Sequence, residues 1–303
     1  MTEQTVDQSA GTAPEVNAEP WKASVGLVVD QAYLGSPYTG VDAWRAAAQA
    51  GAEWLSVVVE AYDLPEERIH QLRDDADKAG IPINLVACPA FGLADPRDAV
   101  RDFNLEWAKA QVDFARGVGA RRVKVLLGEW IWKGNWSNEL QWQLVVENLR
   151  RLCDYAEQHS IMVSVEPEAL ENAYVNDTYT LVQLLDDVAS PVLSANVDTS
   201  HLVVRAVHPS GIRLLKGRLD TVNFSDSNGR WHEHLPPGTG VSDMAAFAAE
   251  VTNARQSDDA LVAVVVGPFA DPENAYEKVA ASVGATRRLF GVPLDPADGG
   301  TGL

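Results

Sequence analysis

The sequence predicts an α/β protein folded as a (β/α)8 barrel, the TIM-barrel architecture. Three observations carry that prediction. Short runs rich in valine, isoleucine and leucine alternate with amphipathic stretches along nearly the whole 303-residue chain. Most of these runs are continuously apolar, as expected of parallel strands covered on both faces. Two of them end abruptly in acids, Met162–Val165 at Glu166-Pro167-Glu168 and Leu193–Val197 at Asp198. The carboxyl ends of barrel strands converge on one mouth, where such folds place their chemistry. A doubly wound open sheet competes, but no glycine-rich phosphate loop follows the first run.

The elements follow in order. Strands are expected at Ala23–Val29, Trp54–Val59, Ile83–Ala87, Val123–Leu127, Met162–Val165, Leu193–Val197, Thr221–Phe224 and Leu261–Val266. Helices are expected at Val41–Gly51, Pro65–Gly80, Asn138–His159, Asp177–Val188, Met244–Ala254 and Asn274–Phe290. Pro65 with Glu66-Glu67 behind it, and Lys78-Ala79-Gly80 at the far end, suit the two poles of a helix dipole. Leu140, Leu144, Val145, Leu149, Leu152 and Ala156 form one apolar stripe. Ser242-Asp243 supplies a cap for Met244–Ala254. Residues 21–293 read as one barrel domain without an internal linker. Residues 1–20 and 294–303 are polar and read as a disordered arm and tail.

Composition narrows the function classes. With 43 acids against 24 basic residues, the net charge is −19. The basic footprint that a nucleic acid requires is missing, so none is expected as a partner. No apolar run nears the roughly 20 residues that span a bilayer, and the N-terminus lacks a secretory pattern. No membrane partner is expected. Cys88 and Cys153, flanked by apolar residues, read as buried thiols in a reducing, cytoplasmic setting.

Glu166 is a candidate catalytic residue because a carboxylate ending a buried strand needs a metal, a cation or hydrogen bonds. Glu168 follows it, but strand alternation disfavours both pointing inward. Asp198 at the next strand tip, with His201 three residues on, offers a carboxylate ligand beside an acid, base or orienting donor. The loop after the seventh strand holds Asp226, Arg230, His232 and His234. Such a loop suits an anionic or hydroxylated ligand with Arg230 as a clamp. His232 and His234 alone lack the further ligands of a zinc site. Trp130, Trp132 and Trp136 follow the fourth strand and are expected to overhang the mouth, where indole faces stack on sugar rings or aromatic aglycones.

Together these residues resemble the xylose isomerase-like barrel superfamily, in its sugar phosphate isomerase/epimerase branch, over roughly residues 23–291. The specific parts are Ser-Val-Glu-Pro-Glu at 164–168, Asn-Val-Asp-Thr-Ser-His-Leu at 196–202, and Asn-Phe-Ser-Asp…Gly-Arg…His-Leu-Pro-Pro-Gly at 223–238. The resemblance implies one divalent metal, often manganese, held by Glu166, Asp198 and Asn223. Asn223 stands where the family has His or Gln. The fourth ligand, a second Glu and catalytic base in the family, falls on Val265, which can neither bind a metal nor move a proton. The implied Mn²⁺ or Mg²⁺ site is therefore weakened or lost. What the resemblance implies is an isomerase- or epimerase-like enzyme acting on a sugar or polyol-like carbonyl compound by proton abstraction, with Glu166 or His201 as base. A lyase like the C-glycoside deglycosidases, which perform β-elimination, and a metal-free binding pseudoenzyme are the alternatives. The expected partner is a sugar-like or glycoside small molecule; a homo-oligomer or a small companion subunit is open, and a companion subunit would favour the deglycosidase reading. A multi-metal phosphodiesterase is disfavoured by the acidity and the shortage of ligands.

Overall fold

A computed structural model describes residues 21–30, 42–130, 136–266 and 272–293. The expected arm, the expected tail and Trp132 lie outside the described residues. Eight parallel strands close in sequence order into a barrel. They are β1 (Ser24–Asp30), β2 (Leu55–Val58), β3 (Ile83–Pro89), β4 (Arg122–Leu126), β5 (Met162–Val165), β6 (Leu193–Asp198), β7 (Leu219–Phe224) and β8 (Leu261–Val264). The ring is completed by Ser24 pairing with Leu261 and Leu27 with Val264. Every strand boundary falls within two residues of its expected place.

The outer helices are α1 (Ala43–Ala50), α2 (Glu66–Ala79), α3 (Asp98–Val118), α4 (Asn138–Gln158), α5 (Thr178–Val188), α6 (Thr199–Val204), α7 (Met244–Ala254) and α8 (Pro272–Leu289). A 3-10 helix, Pro209–Leu215, follows α6. The helix reading above passed over α3, α6 and this 3-10 turn. For α3 the signal was present: Leu105, Ala108, Val112 and Ala115 recur at helical spacing and are fully buried. Asp177 and Thr180 form a reciprocal capping box on α5, and the Asp243 carboxylate accepts from Ala246 N at 2.9 Å on α7.

Inside the ring the side chains stack in layers, as strand alternation requires. Trp54, Leu85, Leu261 and Ala263 form an apolar plug separate from the main core, with Val28 packed against it. Trp54 lies on the backbone of Gly26, where an added Cβ would stand 2.2 Å from the indole. Only glycine leaves room there. Higher up the interior turns polar. Thr221 Oγ1 lies 3.1 Å from Ser164 Oγ and receives the Asn196 amide at 2.7 Å. One inward step further along the same strands come Glu166, Asp198 and Asn223; Asn223 is level with Ala263 of β8, and Val265 lies one residue past the end of that strand. Among the described residues no helix is long and apolar enough to cross a membrane.

Candidate active site

The tip of β5 delivers Glu166 into a buried pocket of opposite charge. The ammonium of Lys124, from β4, pairs with Glu166 Oε2, and both side chains are almost wholly shielded from solvent. The Asn223 amide donates to the same oxygen at 3.0 Å. On the other side His201 Nδ1 stands 3.5 Å from Glu166 Oε1 and donates to the Pro167 carbonyl at 2.9 Å. That bond fixes the proton on Nδ1 in the neutral ring and leaves Nε2 for chemistry. Lys124 is a site residue that sequence reasoning missed. It sits in Arg122-Val123-Lys124-Val125-Leu126, where alternation already placed Arg122 and Lys124 on one face of a strand otherwise buried.

Asp198 ends β6 and caps α6, its Oδ1 accepting from Ser200 N at 2.9 Å and His201 N at 3.3 Å. The cap aims His201 back over the mouth. Burial by itself would raise the Asp198 pKa, but His201, His234 and Lys124 outweigh it and hold the carboxyl at about 2. Burial likewise opposes charge on His201, and Asp198, Glu166 and Glu168 overcome it and raise its pKa. Glu168 stands two residues beyond Glu166. Burial, then the nearby charge of Glu166, pushes it up to about 7. Its Oε1 is buried without a hydrogen-bond partner, and the residue lines a cavity of about 380 Å³ with Phe91, Gly128, Glu129 and Leu170.

The loop after β7 contributes two further imidazoles. His234, in the left-handed region at φ 52°, sets Nδ1 3.2 Å from Ser200 Oγ and 3.1 Å from Ser225 Oγ. A non-glycine residue held there marks a position fixed by its surroundings. His232 packs edge-on against His201, with ring centroids 4.8 Å apart. Burial and the two neighbouring imidazoles push His232 down to about 4, and burial likewise lowers His234. Of the three rings, only His201 has its pKa raised.

Among the described residues, two groups have ligand atoms within 4.8 Å of one another: Glu166, Asp198 and His201, and His201, His232 and His234. His232 and His234 therefore do not stand alone. The turn after β6 brings His201 to them, so the imidazole group has the composition that nitrogen-preferring ions accept. The carboxylate set fits the implied hard cation poorly. Asn223 turns its amide nitrogen to Glu166, Lys124 already neutralises that carboxylate, and Val265 offers no donor. In its favour stand the convergence of Glu166, Asp198 and His201 and the buried Asn223 Oδ1, which has no partner among the described residues.

The remaining expected binding residues are placed differently from one another. Asp226 does not face a ligand: its two oxygens accept from the backbone amides of Ser227 at 2.8 Å, Gly238 at 3.1 Å, Gly240 at 2.9 Å and Ser242 at 3.3 Å. Its charge is consumed in bracing the loop. Gly240 is required by that close approach, since an added Cβ would meet the Asp226 carboxylate at 2.4 Å. Arg230 is exposed on the rim, its backbone amide held by Asn228. Trp130 packs on Tyr174 at 4.5 Å and stacks near Trp142 at 6.4 Å. It lines an outer cavity of about 410 Å³ that shares no residue with the charged cluster. Trp136 is partly exposed at 36%.

A closed parallel barrel whose strand tips gather acids and imidazoles at one mouth defines a class of barrel with an enzyme-like site. The family model for the xylose isomerase-like TIM barrel matches residues 44–282, and the chain belongs to that family. No curated protein matches the sequence significantly. Among solved structures it is similar to a D-psicose 3-epimerase studied with D-fructose, at 16% identity and TM-score 0.74, covering 88% of this chain and 99% of that one. It is also similar to a 3-keto-D-glucoside 4-epimerase from E. coli, at 16% identity and TM-score 0.70, covering 87% and 99%. A third is an IolI protein with a bound zinc atom, at 15% identity and TM-score 0.73, covering 88% and 98%. At these identities the likeness shows the fold.

Proposed function

We propose that the protein is a sugar isomerase- or epimerase-like enzyme that moves a proton on a sugar or polyol-like carbonyl compound. The observation that supports this most directly is the pairing of an imidazolium donor, His201, with the acids Glu166 and Glu168 at one strand mouth. In this reading His201 donates from Nε2 to the carbonyl oxygen as negative charge develops there. The carboxylate pair takes the proton from the adjacent carbon, and Glu168 is the member whose affinity for a proton lies near neutrality. Lys124 and Asn223 hold Glu166 in place. No step is routed through a metal, because the carboxylate set fits one poorly. The epimerases named above act on ketoses and keto-sugars, which is the substrate class assigned here.

Val265 favours chemistry on one face of the carbon. Inversion needs a base on each face, and β8 supplies none at this position. Transfer between adjacent carbons, or β-elimination from an oxidised glycoside, needs only the set on β5 and β6. The test is exchange of substrate C–H for deuterium, followed by proton NMR over a panel of ketoses, 3-keto sugars and 3-keto glycosides. Exchange or elimination that disappears in Glu168→Gln and His201→Asn is expected. Binding of a panel member with neither exchange nor turnover would establish a pseudoenzyme instead.

A further inference from the structure

We infer that Lys124 is the built-in cation of this site, standing where related barrels are expected to use a divalent ion. The inference concerns the charge of the site and holds whichever substrate is turned over. Its first support is position. Lys124 rises from β4 inside the ring and its ammonium meets Glu166 Oε2, with side-chain exposures of 5% and 2%. Screening by water is minimal there, so a divalent ion bound to the same carboxylate would face an ammonium across a few ångströms.

Saturation is the second support. Glu166 Oε2 already receives the Asn223 amide at 3.0 Å. Asp198 Oδ1 already receives two backbone amides, and Asp198 Oδ2 looks toward His234 Nδ1 at 3.9 Å. Hydrogen-bond donors thus occupy much of the oxygen surface that a hard cation would need. The third support is Val265, an apolar residue just past the end of β8, where the resemblance places a carboxylate. An added cation and a removed carboxylate change the site's charge in the same direction. The site therefore needs less external positive charge on two independent counts.

The ammonium is a positioning group. It holds the Glu166 side chain in its orientation, which a bound ion would otherwise do. Mn²⁺ titration of the purified full chain, by calorimetry and by electron paramagnetic resonance of the free ion, tests this. Wild type is expected to show no Mn²⁺ binding that depends on Glu166. Lys124→Met should bind one Mn²⁺ roughly tenfold or more tightly than wild type, as ligand-shell changes commonly do. Its melting temperature should rise on adding Mn²⁺ while that of wild type does not. Lys124→Gln, which can still donate to Glu166, carries the same test if the methionine variant does not fold. Glu166→Gln separates this site from the imidazole group, because Mn²⁺ that survives it is bound elsewhere. Stoichiometric micromolar Mn²⁺ in wild type that Glu166→Gln abolishes would overturn the inference. So would unchanged Mn²⁺ affinity in both Lys124 variants.

Discussion

Asn223 on β7 and Glu166 on β5 are joined across the barrel mouth by one hydrogen bond, Nδ2 to Oε2 at 3.0 Å. Asn223→Asp would set two carboxylates against each other in a nearly dry pocket. A loss of about 1–3 kcal/mol at pH 8 is expected, shrinking toward pH 5 as one of them takes a proton. Urea denaturation at the two pH values checks this. Equal stability of the variant and wild type at pH 8 would show that the contact is not made.

Two groups act in opposite senses on stability between pH 4 and 7. Glu168 is raised to about 7 in the folded protein. It binds a proton there that the unfolded chain has released, so its contribution weakens as pH rises through the window. His232 is lowered to about 4. The unfolded chain binds the proton that folded His232 refuses, so its contribution weakens as pH falls from 6.5 toward 4. The two slopes offset each other in wild type. Glu168→Gln should make acid destabilisation steeper, and His232→Asn should make it shallower. Chemical denaturation from pH 4 to 8 on the three proteins measures the slopes, and parallel curves would refute both shifts.

Gly26→Ala drives a methyl group into the Trp54 indole, 2.2 Å away at the ideal position. Overpacking of this kind costs about 1–3 kcal/mol. Trp54→Leu should recover part of that loss in the double variant, although alone it opens a cavity. A double-mutant cycle reads the coupling, and strict additivity would mean that the two residues do not meet.

Trp130→Ala is expected to lower the melting temperature through lost contact with Tyr174 and Trp142, at about 0.5–1.5 kcal/mol per aromatic pair. Affinity for any ligand of the charged cluster should stay unchanged in the folded fraction. A selective loss of affinity would restore the indole to the binding wall that the sequence suggested.

These outcomes bear on how far the chain could be read without coordinates. The strands were legible because parallel strands buried on both faces leave continuous apolar runs. Glu166 and Asp198 were legible because an acid closing such a run has few other reasons to be there. Lys124 was not, since a lysine inside a strand usually signals an exposed edge, and only closure of the ring puts it indoors. The contacts of Trp130 with Tyr174 and Trp142 were not legible, because those rings come from other elements and no local pattern brings them together. Asp226 looked like a ligand-binding acid. The amides that claim its charge come from residues up to sixteen positions later, at Ser242, and converge only once the loop has folded.

That Asp226 centre makes the segment from 226 to 242 a self-contained cassette. Its two arms are bridged by reciprocal backbone bonds between Asp226 and Leu235, at 2.8 and 2.9 Å. The Ser227 hydroxyl closes onto the Trp231 carbonyl at 2.6 Å, and the Thr239 hydroxyl onto the Pro236 carbonyl at 2.7 Å. Most of the polar groups are thus spoken for within the segment, and the anion at its centre takes the place of solvent. The exposed side chains of this cassette, Arg230 and Trp231 among them, can therefore change while its frame, and the barrel beneath it, stay put.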